Sequence, residues 1–267
     1  MHPIERLRYV ARSEGADPSL VALEAAAALG AVARSEPTGL VPACRRLIGR
    51  HLSSAPVWWL CARILAAPDP VAASYQAAAE LENDATDRHL ARALPDDATV
   101  LVVGWPDAAA AALRRRGDLE VLVAEASGEG AALARRLGNA GNRVSLVPDA
   151  GIAAAAVVAG LVVIEGRAAG PTGALVAPGS HAAAAVAARI GVPVWAVAAT
   201  GRVLPARLWE ALLARFDASG EPWERDSELV PAALVDGFVG PDGPVEVSDG
   251  LATSTCPATP ELFRDTV

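Results

Sequence analysis

The sequence predicts an α/β fold in which an N-terminal all-helical subdomain is followed by a Rossmann-like parallel sheet with helices on both faces. Three observations predict it. Between Thr99 and Thr200, short Val/Leu/Ile runs (TVLVVG, LEVLVAE, RVSLVPD, LVVIEG, VPVWAVAAT) alternate with longer Ala-rich helical runs, the pattern of strands and crossover helices. The chain up to Leu94 reads as helices only. Between the two, Leu94-Pro95-Asp96-Asp97 is a breaker. The expected organisation is therefore a helical subdomain over residues 1–94 and an α/β domain with an irregular tail over residues 95–267.

Helix starts in the first part are well punctuated. Asp17-Pro18 and Asp69-Pro70 each place an N-cap before a first-turn proline, and Thr38 and Ser54 are weaker starts. Helices are expected over Ile4–Ser13, Ser19–Ser35, Leu40–His51, Val57–Ala66 and Val71–Ala93. In the last, Ala73, Ala77, Leu81, Leu90 and Leu94 fit one buried stripe. In the second part, strands Thr99–Gly104, Leu119–Ala124, Arg143–Val147, Leu161–Glu165 and Val192–Ala198 alternate with helices Ala108–Arg116, Gly130–Leu137, Ala150–Val158, His181–Ile190 and Pro205–Phe216. The stretch GRAAGPTGALVAPGS reads as irregular, and the Pro/Gly-rich tail from Ser219 as a wrap around the body.

Composition bounds the function. With 52% hydrophobic and 20% charged residues among 267, a well-buried core is expected and disorder is not. Aromatic residues are only 4%, so the core is aliphatic and Ala-dominated. All 23 basic residues are arginine, which codon bias in GC-rich DNA explains. The absence of lysine excludes Schiff-base chemistry and a P-loop. A net charge of −8 disfavours direct nucleic-acid binding. Cys44, Cys61 and Cys256 form no ligand spacing with the histidines, and His2, His51 and His89 are scattered, so no metal site is expected. No apolar run is long enough for a membrane span, and the first residues lack the core of a signal peptide; a cytoplasmic protein is expected.

In a parallel sheet the ligand sits beyond the carboxyl ends of the strands, which singles out Gly104, Trp105, Glu125, Asp149, Glu165 and Arg167. Glu125 and Asp149 can face each other as an acid–base pair; alternatively Asp149 caps the following helix and Glu125 bonds loop amides. Arg167 can clamp a phosphate, or pair with Glu165 or Asp149. Trp105 can stack on a ring or simply fill volume. Gly179-Ser180 opens a helix after a Gly/Pro loop, where free amides attract a phosphate, with His181 beside it; Ser180 can equally be only a cap. Trp58-Trp59 read as core.

The order of several segments resembles the translation initiation factor 2B α/β/δ subunits, whose relatives include methylthioribose-1-phosphate isomerase and ribose-1,5-bisphosphate isomerase. The matching segments are HPIERLRYVARSEGADPSLVALEAAAAL, VLVAEASGEGAALARRLGNAGNRVSLVPDAGIAAA, LVVIEGRAAGPTGALVAPGSHAAAAVAARIGVPVWAV, LVPAALVDGFVGPDG and CPATPELFR. The resemblance implies that Gly104 stands where the isomerases carry a catalytic Cys, and Arg167 where they carry an Asp. It places Ser127-Gly128 on the family's Arg-Pro and Ala177-Pro178 on its Asn-Lys. Glu125, Asp149 and the Gly179-Ser180 helix start are kept.

The resemblance therefore implies a non-catalytic or altered member of the family. Such a protein would bind a phosphosugar or nucleotide at Gly104, Trp105, Arg167, Gly179, Ser180 and His181, or act as a regulatory or assembly module. A homodimer through the α/β part and no cofactor are expected. The alternative is an aldose–ketose isomerase acting on a phosphorylated sugar, in which Glu125, Asp149 or His181 replaces the missing groups.

Overall fold

The computed structural model, which describes residues 18–126 and 128–263, opens with four helices: α1 (Pro18–Ser35), α2 (Leu40–Arg50), α3 (Ala55–Ala66) and α4 (Pro70–Glu82). The helix expected over Ile4–Ser13 and the cap Asp17 lie outside the described residues. At α4 the predicted device is present: the Asp69 carboxylate accepts hydrogen bonds from the Val71 and Ala72 amides at 3.0 Å, with Pro70 in the first turn. Ala22, Ala25, Ala26 and Leu29 are buried on α1, which packs on α3 and α4. The small side chains let these helices approach closely.

The expected helix Val71–Ala93 is two helices. Asn83 ends α4, its side chain donating to the Ala79 carbonyl at 2.8 Å. Asp84 then accepts from both the amide and the hydroxyl of Thr86 and starts α5 (Thr86–Ala93). The apolar stripe runs on across the break, but its two halves serve different cores. Ala77 and Leu81 belong to the helical layer, whereas Leu90 and Leu94 pack on the sheet.

The remaining chain runs β1 (Thr99–Val103), α6 (Asp107–Leu113), β2 (Glu120–Ala124), α7 (Glu129–Asn139), β3 (Arg143–Val147), α8 (Ile152–Val158), β4 (Leu161–Glu165), β5 (Ala168–Gly170) and β6 (Gly173–Val176). It continues with α9 (Ser180–Ile190), β7 (Val194–Val197), α10 (Ala206–Asp217), β8 (Glu228–Pro231), β9 (Gly237–Gly240), β10 (Gly243–Val245), α11 (Val247–Ala252) and α12 (Pro260–Phe263). The main sheet has the order β10-β9-β7-β4-β1-β2-β3. It is parallel except for the β9–β10 hairpin. Leu90, Leu113, Leu133 and Leu137 cover one face from α5, α6 and α7. Ile152, Ala156, Ala183 and Leu251 cover the other from α8, α9 and α11. This is the expected doubly covered sheet.

Two expectations are corrected. The Gly/Pro stretch after β4 is not irregular: β5 and β6 pair antiparallel and, with β8, form a second sheet of three strands. The tail is not a mere wrap either, because β9 adds in parallel to β7 and completes the main sheet. Both sets are three- or four-residue strands rich in Gly and Ala, too short for an alternation signal.

The small sheet joins the layers by the two-residue period of a strand. Ala168 and Leu175 point into the helical core, and Ala169, Ala174 and Val176 into the sheet core. The helical core is completed from the far end of the chain, by Leu208, Trp209, Leu212 and Phe216 of α10 and Leu262 of α12.

Close packing at this joint makes a test. A Cβ on Gly170 would fall 2.4 Å from Cγ of Trp209, a fully buried ring whose Nε1 donates to Thr172 Oγ1 at 2.7 Å. Gly170→Ala is expected to cost about 1–3 kcal/mol, as overpacked sites do. It should be read as a lower urea midpoint with an unchanged slope; an unchanged midpoint would mean that Trp209 is not held there.

Candidate functional site

The chain leaves β1 in two directions. Strands β2 and β3 lie on one side, β4, β7 and β9 on the other. Ligands bind outside the carboxyl ends of the strands where the order reverses, here between β1 and β4. A cleft of about 780 Å³ opens there, between the sheet and the helical layer. Its walls include Val103, Trp105 and Asp107 at and after the end of β1, Glu165 and Arg167 at and after the end of β4, Glu129 at the start of α7, and Ser180 at the start of α9. The helical layer contributes Arg50, His51 and Ser54, and the segment after α10 contributes Arg225 and Asp226.

The floor is an ion pair. Glu165 and Arg202 are both buried, and Arg202 Nη1 donates to Glu165 Oε1 at 2.7 Å and to the Gly166 carbonyl at 3.0 Å. The other carboxylate oxygen accepts the Ala109 amide, in the first turn of α6, at 2.9 Å. Fixed donors on both oxygens, one of them a helix-start amide, offset the desolvation of the carboxylate.

Arg167 does not pair with Glu165 or Asp149 as anticipated, because Arg202 has taken Glu165 and Asp149 lies elsewhere. Its guanidinium stands 3.4 Å from Asp226 and 3.6 Å from Glu129. Its backbone is pinned from both sides: its amide donates to the Leu175 carbonyl and its carbonyl accepts the Ala55 amide, the first of α3.

Gly104 has φ +68°, a conformation that favours glycine. A Cβ there would come within 3.3 Å of Glu129 Oε2 and 3.2 Å of the Ala126 Cβ. Trp105 borders the cleft, with the Arg136 guanidinium over its ring at 5.6 Å. Gly179 is left-handed and starts α9; Ser180 is buried in the cleft wall. The His181 amide donates to the Glu228 carboxylate at 2.7 Å, so a protein carboxylate already takes an amide in the first turn of this helix.

Glu125, Asp149 and His181 are not among the cleft-lining residues. Asp149 accepts the Ala126 amide at 2.7 Å and braces a turn in which Ala126 has φ +43°. The loop amides of Gly128 and Gly130 bond the Glu125 carbonyl rather than its side chain. The two acids follow β2 and β3, on the side of β1 away from the reversal point.

The sequence does not single out Glu129, Arg202, Arg225, Asp226 or Arg50, and it marks Ser54 only as a weak helix start. Arg202 follows the carboxyl end of β7, so the same strand-end rule reaches it. The others come from helix starts and from the opposite layer, where no local pattern marks them. His51, one of the scattered histidines, ends α2 and borders the cleft; His2 lies outside the described residues. Among the described residues no group of three or more His, Cys, Asp or Glu is placed to hold a metal. No described helix is long and apolar enough to cross a membrane.

Cys44, Cys61 and Cys256 lie in the helical core with Trp58 and Trp59, not in the cleft. Burial pushes the Cys61 thiol well up and the Cys256 thiol up to about 12. These thiols are expected to resist a disulfide reagent at pH 8 in the folded chain and to react once it is unfolded; labelling without unfolding would contradict their placement. Above the ordinary thiol value of 9.0, the unfolded chain loses a proton that folded Cys256 keeps. Stability from this group is therefore expected to fall as pH rises from 9.0 to about 12.

Arg202→Met strands a buried carboxylate and is expected to lower stability by about 3–5 kcal/mol. Glu165→Leu with Arg202→Met should recover a large part of the loss. Equal losses in the single and double variants, measured by urea unfolding, would show that the charges do not depend on each other.

No protein-family model and no curated protein matches the chain by sequence. Solved structures do. Translation initiation factor eIF-2B from Pyrococcus horikoshii OT3 superposes with a TM-score of 0.74 at 16% identity, over 91% of this chain and 96% of that one. A chain of the tetrameric eIF2B-beta2-delta2 complex from Chaetomium thermophilum gives 0.66 at 20% identity, over 92% and 90%. The 5-methylthioribose 1-phosphate isomerase from P. horikoshii OT3 gives 0.65 at 15% identity, over 93% and 86%. The chain therefore has the fold shared by the eIF-2B subunits and this isomerase.

Proposed function

We propose that the protein is an initiation factor 2B-like module that binds a small phosphorylated ligand, a phosphosugar or nucleotide, in the cleft between β1 and β4. We further propose that it does not perform the thiol-dependent proton transfer of the isomerases that its sequence resembles. The observation that carries this reading is the Arg167 guanidinium in the cleft wall. It stands where the resemblance puts an isomerase aspartate, and its two ion pairs are long, at 3.4 and 3.6 Å. A cation held this loosely can exchange partners for a phosphate. Arg50 and Arg225 border the same space, and the buried Ser54 hydroxyl there has no hydrogen-bond partner among the described residues, which a bound ligand would supply. The chain's thiols sit in the other core.

A regulatory or assembly role goes with self-association, and a homodimer is the form we propose. Leu146 at the edge strand β3, Val157 and Val158 on α8 and Ile190 on α9 are exposed apolar side chains on the α/β part, as an association surface requires. The second reading, an aldose–ketose isomerase, is favoured by the carboxylates Asp107 and Glu129 in the cleft. Glu125, Asp149 and His181 are not placed to supply its chemistry.

Thermal unfolding with ribose 5-phosphate and adenosine monophosphate tests the proposal. A ligand at about 100 times its dissociation constant stabilises by about 2.7 kcal/mol, so a clear rise in Tm is expected with at least one. Arg167→Asp should abolish the rise while changing the stability of the free protein little, because its partners are exposed. A rise that survives the substitution would remove Arg167 from the site, and no rise in the parent protein would remove the proposal.

A further inference from the structure

We propose that residues 218–226 form a strap that regulates the cleft from within. The Asp226 carboxylate competes with the anionic group of a ligand for Arg167, so that binding displaces Asp226 and loosens the strap. This inference rests on the phosphate-binding reading above and adds the contact that controls it.

The strap runs from the end of α10 to Ser227, the residue before β8, and Ser219, Arg225 and Asp226 border the cleft. It is bound mainly to itself and to the last turn of α10. The Arg225 guanidinium donates to the carbonyls of Asp217 at 2.9 Å and Gly220 at 3.1 Å, and it lies over the Phe216 ring at 4.8 Å. The Ser219 amide donates to the Phe216 carbonyl, and the Glu224 amide to the Glu221 carbonyl, both at 3.0 Å. One contact reaches farther. Among the described residues, the bond from Arg167 to Asp226 is the one hydrogen bond that ties residues 218–226 to any part of the chain beyond α10 and the neighbouring Ser227. Every residue from Asp217 to Glu224 is exposed, Trp223 at the tip to 80%. No buried side chain of this stretch therefore holds it against the cleft, the mark of a segment that opens at small cost.

The tether is built to exchange. Arg167 Nη1 stands 3.4 Å from Asp226 Oδ2, longer than an ordinary hydrogen bond between guanidinium and carboxylate. The Asp226 side chain is 69% exposed, so water can take over its oxygens when the pair parts. Its Oδ1 accepts the hydroxyl of Ser227 at 3.1 Å, and Ser227 is buried, which gives the carboxylate a fixed point to pivot on. A phosphate brings several acceptor oxygens to the same guanidinium and can take two of its N–H groups together. The fraction of molecules in which Asp226 holds Arg167 lowers the apparent affinity for an anion in proportion.

Two measurements on the full chain test this. Calorimetric titration with inorganic phosphate compares the parent with Asp226→Asn, which keeps the shape and removes the charge. The variant is expected to bind phosphate about two- to fivefold more tightly, the range an exposed ion pair allows. A nitroxide on Trp223→Cys reads the strap itself, because Cys44, Cys61 and Cys256 are buried. Phosphate should narrow its spectrum as the strap loosens. With Asp226→Asn added, the spectrum should be narrow from the start and insensitive to phosphate. Equal phosphate affinities, or a label that phosphate leaves unchanged or slows, would overturn the strap while the phosphate-binding reading stands. Phosphate that binds neither the parent nor Asp226→Asn would remove that reading instead, and the strap with it.

Discussion

The buried pair between Glu165 and Arg202 holds the site together. Glu165 ends β4, Arg202 follows β7, and the Ala109 amide belongs to α6, which follows β1. One carboxylate thus ties together the chain segments that follow β1, β4 and β7 at the point where the sheet reverses its order. The backbone of Arg202 also bonds Ala169 in β5, so the knot extends to the small sheet. A buried pair of this kind adds little net stability over an apolar replacement, but it fixes geometry strongly, because either charge alone is expensive. The cleft keeps its floor for that reason.

The second constraint is the way the helical layer is finished. Its core uses Leu208, Trp209 and Phe216 from α10 and Leu262 from α12 as well as the opening helices. Conversely, α5 from the first part packs on the sheet. The two layers therefore share chain and close over the strand ends, which turns an open crevice into a two-sided cleft. Arg50 and Ser54 come from the upper side, Arg167 and Glu129 from the lower, and Asp226 bridges to Arg167.

Much of this was legible in the residues. The Val/Leu/Ile runs between Thr99 and Val197 give five parallel strands, and β4 spans Leu161–Glu165 as expected. The short strands β5, β6, β9 and β10 carried no period, and the Asn83-Asp84 break was hidden beneath a continuous apolar stripe. Among the site residues, the strand-end rule placed Trp105, Glu165 and Arg167 in the cleft wall. It named Glu125 and Asp149 with equal force, because a sequence lists strand ends without saying which strands are neighbours. Only the sheet order sets β2 and β3 on the far side of β1. Arg225, Asp226 and Ser54 reach the cleft through packing between layers, which leaves no local trace.

The central claim is that a guanidinium-lined cleft binds a phosphosugar without turning it over. Phosphorus NMR of ribose 5-phosphate with the protein, followed over hours, tests both halves at once. The account predicts a broadened, shifted phosphate resonance that keeps its chemical identity throughout. A sharp, unshifted line, or the growth of a second resonance from a ketose phosphate, would contradict it.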